Sequence, residues 1–315
     1  MFSMNCNTSH WYPVLRSREL KRKPVGRTRF GSNFVFWRDS KGKAVAMHDR
    51  CAHRGAALSL GRVRHDAIEC PFHGFCFNQA GLCIRTPAEG NRPVPEGIAV
   101  PALITTEQNG YVWVWRGPAD SLHQLPLPPQ HDSLDNLYYG EANSLWNAHF
   151  TRCIENVCDF SHLSFVHSTT IGLFRRSPET EIEIEERPEG FRAWLIEGDN
   201  KSQYFEFLYP NLWLLRVQNS LLLSAVFVPV NEQVTEVYGR SYAKIHFPGS
   251  QVLMNWYTQL SQYLVFREDW PIVSSQNPGD VNLATTERLM PSDSPVIAYR
   301  KMHRTFTQAG VTHDT

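Results

Sequence analysis

Two groups of cysteine, histidine and carboxylate residues carry the chemistry legible in this 315-residue sequence. Cys51-Ala52-His53-Arg54-Gly55 and Cys70-Pro71-Phe72-His73-Gly74 place two thiols and two imidazoles within 23 positions. The spacings C-x-H and C-x-x-H put one donor of each kind on each of two loops. Such donors suit zinc or an iron–sulfur cluster. A [2Fe–2S] centre with one Cys₂ iron and one His₂ iron needs two of each kind. A Cys₂His₂ zinc knuckle is the alternative, although zinc fingers usually pair Cys with Cys and His with His. Gly55 and Gly74 allow tight loop turns, and Pro71 stiffens one of them. The second group is Asn156, Asp159, His162 and His167. At about 100° per residue, Asn156, Asp159 and His162 share a helix face. His167 lies about 140° round from His162, so both reach one ion only where the helix ends or distorts. A non-haem Fe(II) site that activates O₂ needs two neutral imidazoles and one carboxylate, with open positions opposite.

The elements that position these groups are read from pattern. Asn33–Trp37 and Ala44–His48 read as strands joined by Asp39-Ser40-Lys41-Gly42. Phe75–Asn78 and Leu82–Arg85 flank another turn, and Tyr111–Trp115 alternates aromatic and Val residues. Periodicity is lost in the Pro-, Ser- and Asp-rich stretch that follows, so we expect domains at 1–118 and 135–315 with a linker at 119–134. Leu145–Val166 has helical character. Residues 179–185 alternate Glu with Thr and Ile, a strand with one wet acidic face. Leu221–Val230 reads as a buried strand, and helices are expected over Gln251–Ser275 and Val296–Ala309. The fold class is α+β: an all-β domain, then a sheet packed on helices.

Composition narrows the functions. Lys+Arg and Asp+Glu are equal at 31, which argues against a nucleic-acid partner. No apolar run is long enough to span a membrane. The start MFSMNCNTSHWYPV lacks the charge and apolar pattern of a signal peptide. Seven clustered cysteines fit metal ligation or free thiols in a reducing, cytoplasmic setting better than disulfides.

The first group, with Arg54-Gly55 and Pro71…Gly74, resembles the Rieske [2Fe–2S] motif. The lead-in Trp11-Tyr12-Pro13-Val14 is similar to that of ring-hydroxylating oxygenases. With N-x-x-D-x-x-H-x-x-x-x-H downstream, nearly the whole chain resembles a Rieske non-haem iron oxygenase. One departure is Phe75, where many relatives carry Trp. Cys76 and Cys83 fall outside the motif and read as small buried hydrophobes.

The resemblance implies a START/helix-grip-like catalytic domain, a cluster held by Cys51, His53, Cys70 and His73, and Fe(II) held by His162, His167 and Asp269. Asp269 stands in a segment like the family's D-x-x-x-x-x-x-Q, ending at Gln276. Pro271 predicts a kink or a new segment there, which keeps Glu268 in play as the rival ligand. Asn156 is implied to lie close by, and Asp159 to orient His162 and bridge to His73 of a neighbouring chain in a head-to-tail homotrimer.

The implied function is a terminal oxygenase of the α-only, demethylase or monohydroxylase branch, which uses O₂ to oxidise a small ring-containing substrate. No G-x-G-x-x-G stands before a helix pattern, so NAD(P)H acts only through a separate reductase or ferredoxin. Arg16, Arg18, Lys21, Arg22, Lys23, Arg27 and Arg29 form a basic stretch that reads either as a solvated loop or as a docking site for an acidic donor. An electron carrier and a zinc-stabilised binding module are the alternatives. Phe165, Phe174, Tyr204, Phe205, Trp213 and Trp256 are candidate pocket walls.

Overall fold

The computed structural model describes residues 9–117, 137–171, 181–197, 200–217, 221–243, 249–284 and 286–311. They fall into two compact units, with the division beyond residue 117 and before 137. The expected linker at 119–134 lies outside the described residues, as does Phe174.

The first unit is all β, with eleven described strands in three sheets. β1 (His10–Arg16) pairs antiparallel with β11 (Tyr111–Arg116), which also pairs with β10 (Thr105–Gln108). The Trp-Tyr-Pro-Val lead-in is thus a buried strand, with Trp11 opposite Trp115. β2 (Val25–Arg29), β3 (Ser32–Arg38), β4 (Ala44–His48) and β9 (Ala102–Leu103) form the second sheet. The β3–β4 hairpin forms where Asp39 Oδ1 accepts the amides of Lys41 and Lys43, at 3.0 and 2.8 Å.

β5 (Arg62–Arg64), β6 (Ala67–Glu69), β7 (Cys76–Phe77) and β8 (Cys83–Arg85) form the third sheet. Its Ile68 and Phe77 join Val35, Trp37, Met47 and Leu58 in one buried core. The expected basic stretch is only partly available. Arg16 and Arg27 both bind Glu19 at 2.7 Å, and buried Arg29 donates to the Val14 carbonyl. Arg18, Lys21, Arg22 and Lys23 are exposed.

The second unit is one antiparallel seven-stranded sheet with helices. Its strands are β12 (Tyr138–Trp146), β13 (Glu181–Arg187), β14 (Gly190–Glu197), β15 (Asn200–Leu208), β16 (Leu212–Val217), β17 (Leu221–Asn231) and β18 (Val234–Ala243). The order is β12-β18-β17-β16-β15-β14-β13. Glu181, Glu183 and Glu185 are exposed on the edge strand β13, and Ile182 and Ile184 are half-buried between them.

The helices are α1 (Phe150–Cys158), the single turn α2 (Leu163–Val166), α3 (Ser250–Ser275) and α4 (Ser294–Val311). α3 lies on the sheet where glycines allow it. A Cβ on Gly140 would stand 2.2 Å from the Met254 carbonyl oxygen, and one on Gly239 would stand 1.8 Å from the Gln262 amide nitrogen.

Two expectations need correcting. Leu145–Val166 is strand end, helix, extended link and one further turn, because α1 stops at Cys158 and Asp159 is extended (φ −84°, ψ 117°). α3 also continues through Pro271 without a new segment. The amide that Pro271 lacks would bond residue 267, and the Asp269 amide bonds two residues upstream of that break, so Asp269 keeps its place. No described helix is long and apolar enough to cross a membrane.

Candidate metal centres

In the first unit the two Cys/His loops share one backbone design. The Cys51 amide donates to the Ala56 carbonyl at 2.8 Å and the Gly55 amide returns to the Cys51 carbonyl at 2.9 Å. Cys70 repeats both bonds with Phe75 and Gly74, at 2.8 and 3.1 Å. Gly55 and Gly74 each have φ +74°, where an L side chain is strained. Each loop therefore returns its chain within five residues, Cys at one end and Gly at the other.

Cys51 and Cys70 are buried in the core, His53 is exposed and His73 is half-buried. The imidazole centroids are 4.8 Å apart, and His53 stacks on Phe75 at 4.6 Å. Phe75 thus supplies the aromatic wall under the imidazole. Burial, together with the neighbouring Cys70, pushes the Cys51 thiol up to about 11, against the amide of His53. A thiol held that high ionises readily only against a metal. Two inner thiols and two outer imidazoles fit a cluster with one Cys₂ iron and one His₂ iron. Cys76 is buried and Cys83 half-buried, and their thiols donate to the carbonyls of Gly74 and Arg85.

In the second unit His162, His167 and Asp269 converge, with one donor atom of each lying within 4.8 Å of the others. The convergence follows from the helix break. His162 precedes α2 and His167 follows it, so one turn separates the rings and their centroids stand 5.3 Å apart. Asp269 Oδ1 is 3.5 Å from His162 Nε2 and 2.9 Å from His167 Nε2. The closer pair makes no well-aligned hydrogen bond, and both atoms are buried. Buried polar atoms that meet without bonding to one another are arranged for a third centre.

Charge agrees. Burial opposes a proton on His162, but Asp159 and Asp269 outweigh it and raise the group to about 9. Burial likewise opposes charge on His167, which Asp269 and Glu268 raise. Asp269 is held below its ordinary value by the two imidazoles despite burial. Two imidazoles and one carboxylate that favour positive charge at their centre fit Fe(II).

Glu268 and Asp269 take different places. Glu268 Oε2 is 2.6 Å from His167 Nδ1, on the ring edge away from Asp269, and accepts the Thr170 hydroxyl at 2.7 Å. An Nδ1–H donated to Glu268 leaves the Nε2 lone pair toward Asp269. Asp159 stands behind His162 in the same way but more loosely. Its Oδ2 is 3.6 Å from Nδ1, while Oδ1 accepts the Ser161 amide at 2.7 Å and fixes the turn. Asn156 lies half-buried in the last turn of α1, separated from Asp159 and His162 by the helix end.

Sequence reasoning missed the support beneath this loop. Glu155 pairs with Arg152 at 2.9 Å and with Arg300, and Glu287 pairs with Arg152 and Arg300 at 2.5 and 2.6 Å. Oppositely charged residues far apart in sequence gave no local signal of that network. Of the candidate pocket walls, Phe165 and Trp256 are 78% and 61% exposed, and Tyr204 stacks under Arg192 at 4.4 Å. Phe205 and Trp213 are buried.

Residues 10–103 match the Rieske [2Fe-2S] domain, and residues 146–309 match the vanillate O-demethylase oxygenase C-terminal domain. The chain belongs to the Rieske non-haem iron oxygenase family. The methylxanthine N1-demethylase NdmA of Pseudomonas putida is 29% identical over 291 residues, 84% of this chain and 78% of that protein. Its solved structure superposes with a TM-score of 0.80 at 27% identity, covering 96% of this chain and 91% of that one. Aminopyrrolnitrin oxygenase PrnD of Pseudomonas fluorescens is 39% identical over 189 residues, 54% of this chain and 51% of that protein. The chain thus spans about half the length of several curated relatives that it matches. Dicamba monooxygenase bound to dicamba shares the fold at 19% identity, with a TM-score of 0.81 over 97% of this chain and 98% of that one.

Proposed function

We propose that this Rieske oxygenase is the terminal component of a multicomponent system, which hydroxylates or oxidatively demethylates a small ring-containing compound. The observation that carries the reading is the convergence of His162, His167 and Asp269 in a chain that also presents the paired Cys/His loops. Neither a carrier nor a zinc module built on the Cys/His loops has a use for the second centre. In this reading residues 1–118 are the Rieske domain and 135–315 the catalytic domain. Cys51, His53, Cys70 and His73 hold the cluster, and His162, His167 and Asp269 hold Fe²⁺. When bound, the two groups supply one-electron delivery and O₂ activation.

The chain's own residues do the rest. Glu268 fixes the His167 tautomer, Asp159 caps α1 and orients His162 from behind, and Asn156 stands in the last turn of α1. The substrate class is supported by the relatives, which include a methylxanthine demethylase and a vanillate O-demethylase oxygenase subunit.

A ferredoxin or flavin reductase supplies the electrons, drawn from NAD(P)H, and docks electrostatically against Lys21, Arg22 and Lys23, all exposed beside Arg18. The assembly is a homotrimer in which Asp159 bridges toward His73 of the neighbour. Large exposed apolar side chains on α3 support an assembly. The six described cysteines are all free, which supports a reducing cytoplasm.

Turnover tests the reading. With a surrogate reductase, aromatic methyl ethers and N-methyl heterocycles should stimulate O₂ uptake and yield formaldehyde or hydroxylated product, and Asp269→Ala should abolish both. Cluster reduction without substrate-dependent O₂ uptake across such a panel would leave only the carrier.

A further inference from the structure

Four charged side chains close a ring behind the iron loop, and neither metal centre uses them as ligands. Arg152 and Glu155 stand on α1, Arg300 stands on α4, and Glu287 stands in the segment before α4. Glu155 Oε2 accepts Arg152 Nη1 at 2.9 Å and Arg300 Nη2 at 3.2 Å, and its Oε1 accepts Arg300 Nε. Glu287 binds the same two guanidiniums, through Arg152 Nη2 at 2.5 Å and Arg300 Nη2 at 2.6 Å. Arg152 also donates from Nε and Nη2 to the Pro278 carbonyl, at 3.1 and 2.7 Å. Arg152, Glu155 and Arg300 are 2, 6 and 6% exposed, so these charges answer one another rather than water.

α1 on its own does not favour the arrangement. Arg152 lies in its first turn and Glu155 opens its last, each with the sign that opposes the helix dipole. A buried ion ring is also seldom better for stability than apolar packing of the same volume. What it adds is a fixed register between the elements it joins.

That register leads to the iron loop. The Glu155 carbonyl accepts the Asp159 amide at 3.0 Å, the bond at which α1 ends. Asp159 Oδ1 then accepts the Ser161 amide at 2.7 Å, and Oδ2 stands 3.6 Å from His162 Nδ1. His167 is braced from α3, through Glu268. The ring braces the His162 side, from α4.

We infer that Arg300 and Glu287 are positioning residues for the iron loop. By holding Glu155 they set where α1 ends, and with it the placing of Asp159 and His162. This rests on the oxygenase reading and adds to it two residues outside the ligand set.

Arg300→Lys keeps the charge and removes the planar fork that engages both carboxylates. The expected enzyme holds cluster and iron, and its kcat per bound iron falls about tenfold or more with KM within about twofold of wild type. Nitric oxide added to the anaerobic ferrous enzyme gives an electron paramagnetic resonance signal whose rhombicity follows ligand geometry. That signal should shift or broaden in Arg300→Lys. Arg240→Lys is the control. It disturbs an equally buried pair with Glu141, on the sheet face opposite Gly140 and Gly239 and hence away from α3, and should leave the signal unchanged. A role in stability alone would lower the melting temperature of both variants and leave both signals as in wild type.

A wild-type signal in iron-replete Arg300→Lys overturns the inference. If Arg300→Lys does not fold, Glu287→Gln, with a side chain 30% exposed, decides by the same signal. The oxygenase reading fails separately, by absent substrate-dependent O₂ uptake in wild type, because the nitric oxide signal needs no turnover.

Discussion

The two imidazoles of the second unit differ in how firmly their outer nitrogens are held. Glu268 meets His167 Nδ1 at 2.6 Å, whereas Asp159 stands 3.6 Å from His162 Nδ1. Removal of the Glu268 charge should therefore loosen iron without destroying its site. Glu268→Gln is expected to weaken iron affinity about 10- to 100-fold and Asp269→Ala to abolish it, both with an unchanged cluster spectrum. Iron retained per chain against a graded chelator measures this, and the reverse ranking would make Glu268 the ligand.

His303 offers a separate test through pH. Burial depresses it from 6.5 to about 4, and its Nε2 accepts from Asn282 while Nδ1 faces the Tyr209 hydroxyl at 3.2 Å. Between pH 6.5 and 4 the unfolded chain binds a proton that the folded chain refuses. Stability from this group is therefore full above pH 6.5 and lost as pH falls to 4, by about 3 kcal/mol. Chemical denaturation at pH 7 and pH 4 should show a smaller loss in His303→Gln than in wild type.

At the scale of elements, α3 must approach β12 and β18 closely enough to bring Asp269 to the histidines. Gly140 makes that possible, since a Cβ there meets backbone of α3 that cannot swing aside. Gly140→Ala is expected to cost about 1–3 kcal/mol in folding and to lower iron occupancy. Gly279→Ala is the control, because its Cβ would touch only the His149 side chain at an ordinary 3.5 Å. Equal melting temperatures for the two variants would refute this account of how α3 packs.

Much of this architecture was legible in sequence where period and spacing are local. The alternation over residues 179–185 marks a strand, found at Glu181–Arg187, and the paired C-x-H and C-x-x-H spacings mark two like loops. The face shared by Asn156, Asp159 and His162 was misread, because the three-residue spacing presumes a helix that in fact ends at Cys158. Hydrogen bonds that only folding brings together, such as His167 with Glu268 across 101 positions, had no sequence signal. No second segment begins at Pro271, since its missing amide removes only the bond to residue 267, downstream of the Asp269 bond.

For the whole molecule, α3 has apolar residues on every side, and Val252, Trp256 and Tyr263 are more than half exposed. Leu60 and Phe72 are similarly exposed in the first unit, Phe72 next to His73. A closed ring of identical chains, as proposed, would cover different exposed apolar side chains on its two sides. Light scattering should give three times the 36.2 kDa chain mass, and Trp256→Glu with Tyr263→Glu should shift it toward one. A wild type that turns over as a strict monomer would contradict the ring.

The central claim is that one chain holds a two-iron cluster and a separate mononuclear iron. Iron and acid-labile sulfide, counted per chain in wild type and two variants after anaerobic reconstitution, test it most directly. The account predicts about three irons and two sulfides in wild type, about two and two in His162→Ala with His167→Ala, and about one iron with no sulfide in Cys51→Ser with Cys70→Ser. A colourless wild type that takes up only zinc, or a histidine double variant with undiminished iron, would contradict it.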